Sequence, residues 1–170
     1  MEEEIRTLKA RVEAVKEKFG ITRDIKIVAA TKTVPADKIN MLPSFGITAA
    51  GENRVQELLD KFDAVKGIEW HFIGALQTNK VKYIIDKVAL IHSVDRKSLA
   101  DEIDRQAAKH NLVSEVLIEI NIGKEPSKSG VFAEDAQELM AYVAAKANVR
   151  LRGAVSYTHL RAHETRRQVV

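Results

Sequence analysis

The chain has 170 residues, with 27 Lys and Arg against 24 Asp and Glu, no Cys, and 45% hydrophobic residues. That length suits one domain with a sizeable core, and the missing cysteines exclude a disulfide scaffold and a Cys-bearing zinc site. No apolar run approaches the roughly 18 residues of a membrane span. The acidic start, Met1-Glu2-Glu3-Glu4, is unlike the basic and then apolar opening of a secretory signal, so a soluble cytoplasmic protein is expected.

The formal net charge of +3 raises the question of a nucleic-acid partner. Residues 156–170 carry three Arg and one Glu, and without them 24 basic and 23 acidic residues remain. Aromatics make up only 5% of the chain and are not interleaved with the basic residues, so no nucleic-acid surface is expected.

Ile5, Leu8, Val12, Val15 and Phe19 recur at helical spacing and predict an N-terminal helix with one apolar face, capped by Gly20. Short apolar runs and amphipathic stretches then alternate. Residues 25–31 read as a first strand, followed by a short helix at about 36–42 and a weak second strand at 47–50. Val55, Leu58, Leu59, Phe62 and Val65 mark the next helix. Residues 70–73 form the third strand, with Val81, Ile84, Ile85 and Val88 predicting a helix after it. Residues 89–94 are the fourth strand, before a helix carrying Leu99, Ile103 and Ala107. Residues 116–122 are the fifth and best strand, before a helix over 133–147, and residues 150–155 would be the sixth.

This alternation predicts an α/β protein with parallel strands joined by right-handed crossovers. An open doubly wound sheet competes with a (β/α)8 TIM-type barrel. No Gly-x-Gly-x-x-Gly or Walker loop supports the former. Six units by residue 155 suit a barrel that is incomplete here, with about six of its eight βα units.

Chemistry in such a fold lies at the C-terminal ends of the strands. Reading those positions gives Lys32, Glu52 and Asn53, Gly74 to Asn79, Asp95, Asn121, and Lys128-Ser129 in a loop beyond. Lys32 leaves an apolar strand that needs no cation, so it either snorkels to solvent or is held for an amine able to form a Schiff base. For Glu52 and Asn53, spacing alone favours a helix N-cap with Glu near the dipole. His71 alone reads more readily as a satisfied core histidine than as a ligand. The histidines at 71, 92, 110, 159 and 163 are scattered, and His159 with His163 at i, i+4 has no further ligands, so no metal site is expected.

The segments 28–35 (VAATKTVP), 51–57 (GENRVQE), 70–80 (WHFIGALQTNK), 121–130 (NIGKEPSKSG) and 150–153 (RLRG) together resemble the pyridoxal-phosphate homeostasis proteins. The resemblance covers residues 1–155. It implies a barrel of the alanine racemase N-terminal type that binds pyridoxal 5′-phosphate, with Lys32 as the aldimine lysine. It also implies that Asn53 and His71 line the cofactor pocket and that Lys128 lies near its entrance. Members of that family are regarded as cofactor carriers without established turnover, so no catalytic residue is expected, and apo-enzymes that receive the cofactor are the implied partners. A pyridoxal-phosphate enzyme of the amino-acid racemase type is the alternative, but it needs an added β-domain at which nothing here hints. An unrelated phosphate-binding barrel would require the motifs to coincide by chance.

The family pattern continues through a seventh and an eighth strand, whose loops hold the phosphate. Residues 156–170 depart from it and resemble translated adapter sequence, so a C-terminally truncated chain with a foreign basic tail is expected. Exposed edges on the first and last strands should then make the 170-residue chain unstable or oligomeric, and weaken its hold on the cofactor.

Overall fold

A computed structural model describes residues 2–124 and 129–156. The six apolar runs become β1 (Val28–Ala30), β2 (Ala49–Glu52), β3 (Glu69–Phe72), β4 (Leu90–Val94), β5 (Ser114–Ile120) and β6 (Val149–Ser156). All neighbouring pairs are parallel, and the strands lie in chain order across one sheet. A doubly wound sheet would reverse its order at a switch point. Sequential order is instead that of a TIM-type barrel, and among the described residues the sheet is not closed, with β1 and β6 at its edges.

Paired residues in parallel strands share a face, and alternate residues of one strand point to opposite faces. Phe72, Ile91, Val116 and Leu151 are joined by register. The first three are at most 1% exposed and belong to a core that also holds the helix residues Leu58, Leu99, Ile103, Leu139 and Val143. Gly51, His71, Leu90 and Glu115 form the other register line, and none of them joins that core. Helices therefore cover one face only, as around a barrel, and the opposite face is the inner one. Each fully buried aliphatic or aromatic side chain on the helix side contributes about 1.5–3 kcal/mol.

The helices are α1 (Glu2–Phe19), α2 (Ala36–Ile39), α3 (Val55–Phe62), α4 (Lys97–Lys109) and α5 (Ala133–Ala144). Two departures from the sequence pattern have physical causes. The segment between β3 and β4 forms only a 3₁₀ turn over Thr78–Tyr83 where a longer helix was expected. Its Val81, Ile84, Ile85 and Val88 are β-branched, which lowers helix propensity, yet Val81, Ile84 and Ile85 are still buried. In α1 only Ile5 is buried, while Leu8, Val15 and Phe19 are exposed at 38%, 47% and 67%. The helix is held near its N-terminal half, where Lys9 Nζ donates to Phe45 O at 3.2 Å, and of the rest of the expected apolar face only Val12 is partly covered among the described residues. Gly20 ends α1 with φ 62°, and Ile21 N donates to Lys16 O at 2.9 Å, closing the last turn as a glycine in the left-handed region allows. Lys128 and residues 157–170 lie outside the described residues.

Candidate functional site

The sheet ladder continues one residue past the ends of the first strands. Thr31 N donates to Gly51 O at 3.0 Å, and Ile73 N donates to Glu52 O at 2.9 Å. Thr31 is buried on the helix side, where its Oγ1 donates to Glu52 Oε1 at 2.8 Å. Alternation then directs Lys32, the next residue, to the inner side, in the layer of Asn53 and Ile73. Lys32 is exposed, and among the described residues it has no hydrogen-bond or ion-pair partner.

The backbone around Lys32 is clamped from behind. Glu52 is fully buried and pairs with Lys61 Nζ of α3 at 2.8 Å, and the same ammonium donates to Thr31 O at 2.9 Å. Thr33 adopts φ 62°, a conformation a β-branched residue rarely takes, and its N–H donates to Glu57 Oε2 at 3.1 Å. That backbone hydrogen bond is the largest cause lowering the Glu57 carboxyl below its usual range; the Lys61 and Arg54 charges add to it and partial burial opposes. Lys32, without a partner among the described residues, thus stands between two tethered residues. Glu52 does not act as the helix cap that spacing favoured: α3 starts at Val55 after Arg54, and Glu52 is a buried half of an ion pair. The i, i+9 spacing of Glu52 and Lys61 has no local signature, which is why the clamp was not legible in the sequence.

Asn53 is exposed, and the strand alternation that places Lys32 also brings it to the inner side. Its backbone is pressed against β3's exit: a Cβ on Gly74 would lie 2.2 Å from Asn53 O. Only glycine allows that approach, and it brings the third-strand motif against the second. One layer below, Ile73 leans over Gly51, where a Cβ would meet its side chain at 2.9 Å.

His71 sits in the inner wall below the strand ends, 2% exposed. Its Nε2 is 2.8 Å from Glu69 Oε1 and its Nδ1 is 2.9 Å from His92 Nε2. Lys26 Nζ donates to the same Glu69 oxygen at 2.6 Å. The hydrogen bonds from Lys26 and then His71 hold the Glu69 carboxyl below its usual range, against a smaller opposing effect of burial. Burial, and then the charge of His71, lowers His92 to about 4. Both nitrogens of His71 are therefore engaged by the wall itself. The His71–His92 pairing has no signature in the sequence because it joins neighbouring strands across 21 residues.

On β5, Glu119 is 4% exposed, and alternation sets it on the inner face with Asn121 beyond it. Ser129 Oγ donates to Glu119 Oε1 at 2.9 Å, while Oε2 is buried without a partner. Burial raises the Glu119 carboxyl above its usual range, the Asp95 charge adds to the rise, and the Ser129 hydrogen bond opposes it. The structure therefore brings Lys32 and Asn53 together at the ends of β1 and β2, sets His71 behind them, and leaves Lys128 undescribed. Two clefts of about 410 and 460 Å³ lie along α1 and the approaches to β1 and β2, and neither touches these residues. Among the described residues no group of three or more His, Cys, Asp or Glu could hold a metal ion, and no helix is long and apolar enough to cross a membrane.

A family model described as alanine racemase, N-terminal domain, matches residues 4–169. The pyridoxal phosphate homeostasis protein of Aquifex aeolicus is 51% identical over 133 residues, which are 77% of this chain and 58% of that protein. The chain thus spans about three-fifths of that relative's length. A crystal structure of an unknown protein from Bifidobacterium adolescentis superposes with a TM-score of 0.86 at 28% identity, over 94% of this chain and 70% of the other. PipY of Synechococcus elongatus, solved with PLP bound, superposes with a TM-score of 0.71 at 26% identity, over 90% of this chain and 74% of that one.

Proposed function

The chain belongs to the alanine racemase N-terminal domain family, and on that premise we propose that it binds pyridoxal 5′-phosphate at Lys32 and serves as a cytoplasmic cofactor carrier without turnover of its own. The observation that carries this reading is the Lys32 amine just past the end of β1, exposed and without a partner among the described residues, between the tethered Thr31 and Thr33. The chemistry of the site fits the group. Pyridoxal 5′-phosphate brings an aldehyde that condenses with a primary amine, and a flat ring that needs a backbone able to come close. The Gly74 approach fixes the Asn53 backbone at the exit of β2, and the Asn53 amide, without a hydrogen-bond partner among the described residues, would be able to meet a polar ring substituent.

The chain's own residues then have distinct tasks. Lys61 and Glu52 fix the backbone from which Lys32 projects. Asn53 would border the ring. His71 supports the pocket from within the wall, since its nitrogens are taken by Glu69 and His92. The family resemblance implies an auxiliary role for Lys128, which lies outside the described residues, and apo-enzymes as the recipients. Two protein names support the reading: the Aquifex relative is called a pyridoxal phosphate homeostasis protein, and the PipY structure is described as holding PLP.

Adding excess pyridoxal 5′-phosphate, reducing with borohydride and mapping the labelled peptide tests the lysine. The label should fall on the peptide containing Lys32 and vanish in Lys32→Ala. Equal labelling of wild type and variant would remove the assignment. Incubation of the loaded protein with L-alanine checks the absence of turnover: chiral chromatography should find no D-alanine, and steady production of it would make the protein a racemase.

A further inference from the structure

The inner wall carries a hydrogen-bonded chain apart from Lys32 and Asn53: Lys26, Glu69, His71 and His92, linked by contacts of 2.6, 2.8 and 2.9 Å. Its hydrogen-bond directions are fixed by donor and acceptor counting. An ionised carboxylate only accepts, so His71 Nε2 must carry a proton and donate it to Glu69. The remaining contact, His71 Nδ1 to His92 Nε2, then has one solution in each protonation state. When His71 is neutral, its Nδ1 is bare and His92 Nε2–H must donate to it. When His71 is an imidazolium, Nδ1–H donates and His92 must be bare at Nε2, with its own proton on Nδ1.

We propose that Glu69, His71 and His92 form a one-proton relay in the inner wall, with its open end at His92 Nδ1. A proton arriving at His92 Nδ1 is matched by transfer of the Nε2 proton from His92 to His71 Nδ1. The N–H bond at His92 Nε2 breaks as the one at His71 Nδ1 forms, and the added charge comes to rest on His71 beside the Glu69 carboxylate. Neither ring has to turn, and both hydrogen bonds survive in both states.

Three observations favour this over two independent histidines. His71 is 2% exposed, so an unrelayed proton has no direct way to it from solvent, whereas His92 is only partly buried. Burial and then the charge of His71 lower His92 to about 4, so His92 is a poor resting place for an added positive charge. The charged groups facing the pair are accounted for strand by strand. Lys26 and Glu69 lie at the closed end. β2 presents the uncharged Gly51 opposite His71, and Leu90 flanks it on β4. Glu115 of β5, next in register, is already held by Arg150 and Arg152 of β6. Lys32 and Glu119 stand nearer the strand ends. The condensation of an amine with an aldehyde consumes and releases protons, and the relay supplies a proton store on the sheet face that carries His71 and His92. The relay itself is independent of the Lys32 assignment.

Nitrogen-15 NMR of the histidine-labelled, cofactor-free protein across a pH titration reads the tautomers directly. As His71 becomes an imidazolium, the His92 signals should change from the Nε2–H to the Nδ1–H pattern at the same midpoint. A His92 that keeps one tautomer throughout, or that protonates before His71, would overturn the relay. In Glu69→Gln the carboxylate that holds the added charge beside His71 is lost, so the coupled tautomer change at His92 should weaken or disappear. An unchanged tautomer change in a folded variant would also count against it, and if that variant does not fold, the wild-type tautomer titration decides. Because no cofactor is present, failure here leaves the labelling result at Lys32 standing, and the reverse.

Discussion

The two faces of the six-stranded sheet differ in burial and in chemistry. On the helix side, Phe72, Ile91, Val116 and Ile118 are at most 1% exposed and belong to the hydrophobic core, with the buried Glu52–Lys61 pair at its edge. On the inner side, the same strands present His71, His92 and Glu119, with Lys32 and Asn53 at the ends. Stability and function are thus separated by the alternation of the strands, one residue apart. Phe72 belongs to the core and its neighbour His71 to the relay.

Substitutions on the two faces should therefore have unlike effects. Phe72→Ala opens a cavity in the core and should cost about 3–5 kcal/mol, read from a urea unfolding curve. A cost below about 1 kcal/mol would mean the helix side is not the core. Lys61→Met leaves Glu52 buried without its cation and should cost about 3 kcal/mol. It should also reduce cofactor labelling of Lys32, because Thr31 O loses its donor. Lys32→Ala, a residue exposed at the inner side, should shift stability by less than about 0.5 kcal/mol while abolishing the labelling. A variant that unfolds would join Lys32 to the core instead.

Acid should set the two faces further apart. Because the folded state lowers His92 to about 4 from an ordinary 6.5, the unfolded chain takes up a proton there that the folded chain refuses. Stability should fall as pH drops from about 6.5 through 4 and level off below it, by on the order of 2 kcal/mol from this group. His92→Gln should remove that slope and leave the acid loss from Glu69, whose lowered carboxyl titrates lower in the range. An unchanged slope would place the acid sensitivity elsewhere. The smallest effect expected is from deleting residues 157–170: if they are foreign to the fold, the thermal transition stays where it is, and a lowered midpoint would make them part of it.

Much of this division is legible in the sequence. The six apolar runs mark the strands within two or three residues at most ends, and the position of Lys32 directly after an apolar strand singles it out by local pattern alone. What is not legible involves partners far apart in the chain. His92 reads as one scattered histidine until β3 and β4 lie side by side, and Glu52 reads as a helix cap until Lys61 turns back over it. The helix expected after β3 fails because periodicity reports which residues are buried, not whether β-branched residues hold a full helical turn. The apolar face of α1 is a true pattern, but a pattern alone does not say what covers it.

The central claim is that the free amine held at the end of β1 is the cofactor's anchor. Borohydride reduction with pyridoxal 5′-phosphate, followed by peptide mapping of the 170-residue protein, tests it most directly, since trapping also captures weak binding. The expected result is one dominant label on the peptide bearing Lys32, lost in Lys32→Ala and retained in His71→Gln. Labels spread over surface lysines, the same with and without Lys32, would contradict it.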